Sequence, residues 1–335
     1  LTTAVREGLN TLVAGLAEEA GIERSAILDA AFVMNPVMHH LFLGIDPFEL
    51  GQAPFALATS DALNLTAREL GLELHPSARV YLLPCIAGHV GADAAAVALS
   101  EEPDRSEDLV LVCDVGTNAE ILLGNKTRVL ACSSPTGPAF EGAQISGGQR
   151  AAPGAIERVR IDPDTLEPRY RVIGIEAWSD EDGFDEALGA TGVTGLCGSG
   201  IIEAVACLYL AGALRPDGRF DPEVAARSPR IVPEGRTFAY RLRDGAPDVR
   251  ITQEDVRAIQ LAKAALFAGV QLLLDRLGIE GPDRIRLAGA FGSMIDVKYA
   301  MILGLIPDCP LERVSAAGNA AGTGARIALL NRSAR

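Results

Sequence analysis

The stretch Asp114-Val-Gly-Thr-Asn-Ala-Glu120 constrains this chain more than any other. It joins two apolar runs, at 109–113 and 121–124. Short apolar runs broken by an acidic-Gly-Thr turn predict a β-hairpin. Gly116 lets the backbone approach an oxyanion, and the amides of Gly116, Thr117 and Asn118 can donate to it. Asp114 cannot face phosphate directly without repulsion, so it would act through hydrated Mg2+ or a water. Taken alone, the same residues also make an ordinary turn.

The rest of the chain decides between these readings. Three more glycine turns sit at predicted element junctions. They are Thr136-Gly-Pro-Ala-Phe-Glu-Gly142, which contains Gly137, then Gly198-Ser199-Gly200, then Gly289-Ala290-Phe291-Gly292-Ser293. Exposed amides and helix N-termini attract anions. Four such turns point to a ligand with several phosphates, such as a nucleotide.

Other residues leave alternatives open. Glu120 is placed to orient a water or simply to face outward on its strand. Asp93, in the small-residue run 91–99, is a candidate for a Mg2+-bound water or for a first-turn helix charge. Lys263 lies mid-helix among apolar residues. It either snorkels from the surface or lies against a purine or a phosphate.

Composition narrows the function class. A chain of 335 residues suggests about two lobes. Hydrophobic residues make up 48% and Gly numbers 35, as in an α/β protein with many tight turns. The net charge of −14, without a basic stripe, excludes a nucleic-acid partner. No apolar run approaches membrane-spanning length and no signal peptide appears, so a cytoplasmic protein is expected. The six cysteines form no Cys-x-x-Cys pair and read as reduced, buried thiols. No cysteine-held metal or iron–sulfur site is expected within the chain. His39 and His40 read as satisfied structural residues.

The spacing predicts helices at 4–20, 37–43, 59–70, 91–99, 198–212, 252–277, 293–303 and 319–330. It predicts strands at 27–34, 80–86, 108–116, 119–124, 128–133, 155–162, 169–174, 284–288 and 313–316, with a hairpin near 237–251. Thr252-Gln-Glu-Asp255 reads as a capping box, and Gly278 as a helix stop. The charged stretch 101–108 is the expected domain boundary.

In order along the chain, strand-Asp114-Val-Gly-Thr117, strand-Gly289-Ala-Phe-Gly292 and the helix opening at Gly318-Asn-Ala-Ala-Gly-Thr-Gly324 resemble the actin, hexokinase and heat-shock chaperone ATPase superfamily. Within it, the chain resembles the C-terminal ATPase region of reductive activators of corrinoid proteins. Asn35-Pro-Val-Met-His-His40, Leu83-Pro-Cys-Ile-Ala-Gly-His-Val-Gly-Ala-Asp93, Ser134-Pro-Thr-Gly-Pro-Ala-Phe-Glu-Gly142 and Cys197-Gly-Ser-Gly200 carry that resemblance over nearly the whole length.

The resemblance implies an α/β, two-lobed actin-like ATPase (ribonuclease H-like) fold with an incomplete first lobe. Residues 1–105 would be the partial first lobe and 106–335 the second, with the helix at 319–330 packing back toward lobe one. Residues 114–117 would be the second of two phosphate loops, with Asp114 in the Mg2+ shell. Residues 289–293 would hold adenosine, and Lys263 would lie on the helix flanking adenine. The superfamily's first phosphate hairpin is not present in this sequence. The chain begins at Leu1 in a helical pattern and is expected to be part of something longer, with a [2Fe-2S] domain upstream and an exposed sheet edge at 27–34 covered by a partner or a rearranged segment.

The implied function is ATP-dependent reductive activation of a corrinoid protein of a methyltransferase system, with a possible homodimer and with the isolated chain expected to be inactive. Two rivals are a small-molecule kinase of the same fold and a non-catalytic partner-binding module with a relict nucleotide site.

Overall fold

The computed structural model describes residues 1–335, apart from the side chains of Ala290, Phe291 and Ser293. In chain order the first elements are α1 (Thr2–Ala20), β1 (Asp29–Phe32), α2 (Pro36–Leu43), β2 (Leu63–Thr66), α3 (Ala67–Leu70), β3 (Arg79–Leu82), α4 (Ala92–Glu101), β4 (Val110–Val115), β5 (Ala119–Asn125) and β6 (Arg128–Ser134). Then come β7 (Ala155–Ile161), β8 (Pro168–Val172), α5 (Phe184–Leu188), β9 (Gly195–Leu196), α6 (Gly198–Leu210), α7 (Pro222–Ala225), β10 (Ile231–Glu234), β11 (Thr237–Arg243) and β12 (Val249–Thr252). The last are α8 (Gln253–Leu277), β13 (Arg284–Ala288), α9 (Gly289–Met294), α10 (Val297–Ile302), β14 (Val314–Gly318) and α11 (Ala320–Leu330). Two compact units result. The first is Leu1–Asp114, Glu120–Ser133 and Ala317–Arg335; the second is Val115–Ala119 and Ser134–Ala316.

In the first unit, β1, β3 and β2 form a sheet in that order, parallel then antiparallel. Phe42, Leu70, Val80 and Leu82 form its core, against which Val5, Leu9 and Val13 of α1 pack. The strand expected at 27–34 is shorter and lies at the sheet edge, with Asp29 exposed and Ala30–Phe32 half-buried. No described strand pairs with its outer side, so the edge is not covered by rearranged strand pairing. The helix expected at 59–70 is instead β2 followed by the single turn α3. Leu63 and Leu65 alternate in the strand period, and the Thr66–Glu69 capping box delays the helix start.

α4 and α11 meet at unusually short range. A Cβ on Gly324 would overlap the carbonyl of Ala96. Ala92, Ala96 and Ala328 line this contact with Tyr81 and Leu83. Small residues let the two backbones approach, which explains the Ala-rich composition of α4 and the Ala- and Gly-rich composition of α11.

β4, β5 and β6 are neighbours in that order. Val110–Cys113 are buried on both faces, as a continuous apolar run predicts.

In the second unit, β8, β7 and β9 form one sheet and β10, β11 and β12 another. α6 packs on β7 and carries Glu203, which is fully buried. Arg158 and Arg160 each donate to it, at 2.8 and 2.6 Å, as does the Val159 amide at 2.8 Å. α8 begins with the Thr252–Asp255 capping box and ends at Gly278, whose φ is 69°, both as expected. The helix expected at 293–303 is two pieces, because Asp296 caps a new start by accepting from the Lys298 amide at 3.0 Å.

α8 also corrects the expectation that no run approaches membrane-spanning length, since by length and composition it could cross a bilayer. Its inward stripe of Val256, Ile259, Ala262, Leu266, Val270 and Leu273 is buried in the protein core. The hydropathy arises because the exposed positions between Arg257 and Asp275 include Leu261, Phe267 and Leu272 and carry no charge.

Candidate functional site

The first unit gathers three carboxylates. Asp114 ends the buried run of β4, Glu120 is second in β5, and Asp93 is in the first turn of α4. Burial pushes the Asp114 carboxyl up to about 6, and the charge of Asp93 adds to the shift. Glu120 is pushed up to about 7, by burial first and then by Asp93, while Ser133 opposes the shift by donating its hydroxyl at 3.1 Å. Burial raises Asp93 as well. Like charges held together and desolvated cannot all ionise cheaply. No Lys or Arg pairs with any of the three among the described residues. An oxygen-only donor set of this kind suits a hard cation. Among the described residues, however, no group of three or more His, Cys, Asp or Glu could hold a metal directly.

The second unit holds the turn itself. The Gly116 amide donates to Asn118 O at 3.0 Å. The Thr136 hydroxyl donates to Gly116 O and Thr117 O at 3.0 and 3.1 Å, and the Gly137 amide to Thr117 O at 2.8 Å. The carbonyls are thus tied back. The exposed amides of Thr117 and Asn118 donate to nothing among the described residues. Two adjacent free amides on a braced turn form an anion-binding concavity. Gly137 is needed because its φ is 74°, in the left-handed region.

The structure also brings in a residue to which the sequence assigned no role. Thr117 donates its hydroxyl to both carboxylate oxygens of Glu141, at 3.2 Å each. Glu141 lies in the Gly137–Gly142 turn, and the acidic residue in that Gly-rich stretch was the available signal.

Glu141 also borders a cavity of about 460 Å3 with Phe140, Ile173, Arg150, Gly198 and Ser199. Its size and mixed walls suit a nucleotide-sized ligand. The Ser199 hydroxyl donates to Glu157 O at 3.0 Å, so its backbone rather than its side chain is left for a ligand. Gly200 packs against Ile156 and serves helix–strand contact.

Gly289 and Gly292 open α9, with φ at Gly289 of 81°. The side chains of Ala290, Phe291 and Ser293, expected at the adenosine, lie outside the described residues. Lys263 lines a separate cavity, whose walls include none of the other expected nucleotide residues.

The histidines divide. His40 is satisfied, with Nδ1 bonded to Pro36 O and Nε2 accepting from the Ala58 amide. His39 is buried with neither ring nitrogen bonded, contrary to expectation. None of the six cysteines is in a disulfide.

A family model described as the C-terminal domain of RACo, the ASKHA domain, matches residues 108–335, and one described as the RACo middle region matches residues 1–106. The chain belongs to this family. Its fold is the actin-like ATPase fold of the ASKHA group. The corrinoid activation enzyme RamQ of Eubacterium limosum is 36% identical over 341 residues, covering 98% of this chain and 54% of that protein. The Co(II) methylated amine-specific corrinoid protein reductase of Methanosarcina barkeri is 28% identical over 260 residues, covering 74% of this chain and 44% of that protein. A solved structure of a reductive activator for corrinoid, iron-sulfur protein superposes with a TM-score of 0.83 at 35% identity, covering 99% of this chain and 51% of that one. The chain spans about half the length of these relatives.

Proposed function

We propose that this chain is the nucleotide-binding part of a reductive activator that uses ATP to return a corrinoid protein from Co(II) to Co(I). The observation that carries the reading is the braced turn with free amides at Thr117 and Asn118, in a chain of this family. ATP with Mg2+ supplies a γ-phosphoryl group whose transfer to water releases free energy.

In this reading the Thr117 and Asn118 amides bind phosphate. Asp114 and Asp93 hold the water shell of the cation, and Glu120 orients a water. Gly198, Ser199 and Gly289–Ser293 flank the nucleoside. The raised Glu120 carboxyl titrates near neutrality, so it can accept a proton there. Nucleotide shifts the partner-binding state only through differential affinity for the states of the protein. A cytoplasmic location, a homodimer and a [2Fe-2S] donor outside these residues belong to the same proposal.

Calorimetry tests it. The chain is titrated with ATP–Mg2+, and then with a corrinoid protein held as Co(II), with and without nucleotide. The reading expects nucleotide binding that Asp114→Asn weakens, and a corrinoid-protein affinity that nucleotide changes. A chain that binds neither overturns it.

A further inference from the structure

Arg160, near the end of β7, joins parts of the second unit that are far apart in sequence. Its Nη1 donates to Glu203 Oε2 at 2.6 Å and to Val159 O at 2.8 Å, and its Nη2 donates to Asp296 Oδ2 at 3.3 Å. The guanidinium carbon stands 4.7 Å from the ring centre of Tyr299 and 5.7 Å from that of Trp178. One planar cation thus holds α6 through Glu203, α10 through Asp296 and Tyr299, and the loop 173–183 through Trp178.

Each of the three leads directly to a wall of the cavity of about 460 Å3. α6 opens beside it with Gly198 and Ser199, Met294 stands two residues before Asp296, and Ile173 begins the 173–183 loop. Arg160 itself does not line that cavity. The burial of Glu203 does not require all of its contacts. Arg158 donates to Glu203 Oε1 at 2.8 Å and the Val159 amide to Oε2 at 2.8 Å, so both oxygens keep a donor without Arg160. A buried ion pair also adds little net stability, since desolvation offsets its attraction. What the contacts beyond Glu203 supply is geometry, because a rigid fork with a flat face fixes directions that a point charge would not.

We propose that Arg160 is a positioning residue for the nucleotide, holding three walls of the cavity in place from behind. The inference rests on the reading of this cavity as part of the nucleotide site. Groups that touch a ligand are held closely only when the side chains behind them lock their positions. Without Arg160 the three walls lose their common anchor, and the nucleotide bears the cost of ordering them. Nucleotide in the cavity in turn changes the surroundings of Trp178, through the loop that begins at Ile173 and through Arg160.

The test is calorimetric titration of the 335-residue chain with ATP–Mg2+, as wild type and as Arg160→Met, Asp296→Asn and Arg158→Met. Asp296→Asn keeps the α10 cap, since the amide oxygen can still accept from the Lys298 amide, and it leaves the Glu203 bonds intact. Arg160→Met and Asp296→Asn should each weaken ATP binding about three- to tenfold. The double variant should be no weaker than Arg160→Met alone, because both remove one link. Arg158→Met removes a Glu203 partner but none of the other links, and should change ATP affinity by less than about twofold. Trp178 is the single tryptophan of the chain, so its emission gives a readout that stability alone would not move. Arg169 also stacks on it, at 4.7 Å, and keeps the ring seated when Arg160 is replaced. Saturating ATP–Mg2+ should change the emission in the wild-type chain and leave it unchanged in Arg160→Met, with thermal melts as the control for folding. ATP affinity unchanged in both Arg160→Met and Asp296→Asn overturns the proposal. So does an equal loss in Arg158→Met, or an emission that ATP leaves unchanged in the wild-type chain or changes equally in Arg160→Met. These outcomes leave the proposed function standing, whereas a wild-type chain that binds no ATP overturns that function and this inference with it.

Discussion

Thr117 donates its hydroxyl to both carboxylate oxygens of Glu141, at 3.2 Å each, beside the two free amides of the braced turn. A negative charge therefore stands next to the place where a phosphate would bind.

That charge has a measurable consequence. Without a divalent cation, Glu141 repels phosphate, and Glu141→Gln should tighten metal-free ATP binding by about three- to tenfold, the scale of one partly screened charge pair. With Mg2+ present the gain should shrink. Calorimetry with and without chelator checks this. Unchanged affinity in both conditions would remove Glu141 from the phosphate environment.

Glu120 links the site to stability. Its folded-state carboxyl holds its proton to about pH 7, well above the unfolded value near 4.5. Between these limits the folded chain binds more protons than the unfolded one, so stability falls as pH rises from about 4.5 to 7 and levels off above. Glu120→Gln removes this cost. It should stabilise the chain at pH 8 by up to about 3 kcal/mol and leave it unchanged at pH 4. Urea melts at the two pH values read the difference. A variant equally affected at both would show that the carboxyl is not desolvated as described.

His39 acts in the opposite sense. Burial, and then the charge of His40, lower it from 6.5 to about 4, so the folded chain resists the proton that the unfolded chain accepts. Its contribution to stability is intact above about pH 6.5 and declines by about 3 kcal/mol as pH falls to about 4. His39→Leu should flatten that acid limb in thermal melts between pH 7 and 4. An unaltered slope in the variant would refute the assignment.

Two glycine substitutions should differ in sign. Gly324→Ala drives a methyl into the Ala96 carbonyl and should cost about 1–3 kcal/mol. Gly15→Ala, in exposed α1, meets nothing within 4 Å and should stabilise by about 0.5–1 kcal/mol. Denaturant melts distinguish them, and equal effects would contradict the close α4–α11 contact.

The hairpin around Asp114, the Thr252–Asp255 capping box and the Gly278 stop were all legible in the sequence, because each depends on residues within a few positions of one another. So was the superfamily, through the order of its glycine turns. The site was legible only in part. Asp114 and Glu120 were recognisable as carboxylates on a hairpin, but their raised affinity for protons was not, because it arises from burial and from Asp93 on another element. The break between α9 and α10 was missed because one local cap at Asp296 outweighed a continuous apolar pattern.

The sequence by itself determined which segments become strands, turns and helices around the Asp114 hairpin, since local backbone preferences and periodicity act over short spans. Tertiary structure alone decided the bond from Thr117 to Glu141, the orphaned ring of His39, the seat of Lys263 against Gly304 and the contact of Gly324 with Ala96. Each joins groups through packing, and the energy of a charge or a polar atom is set by what removes it from water.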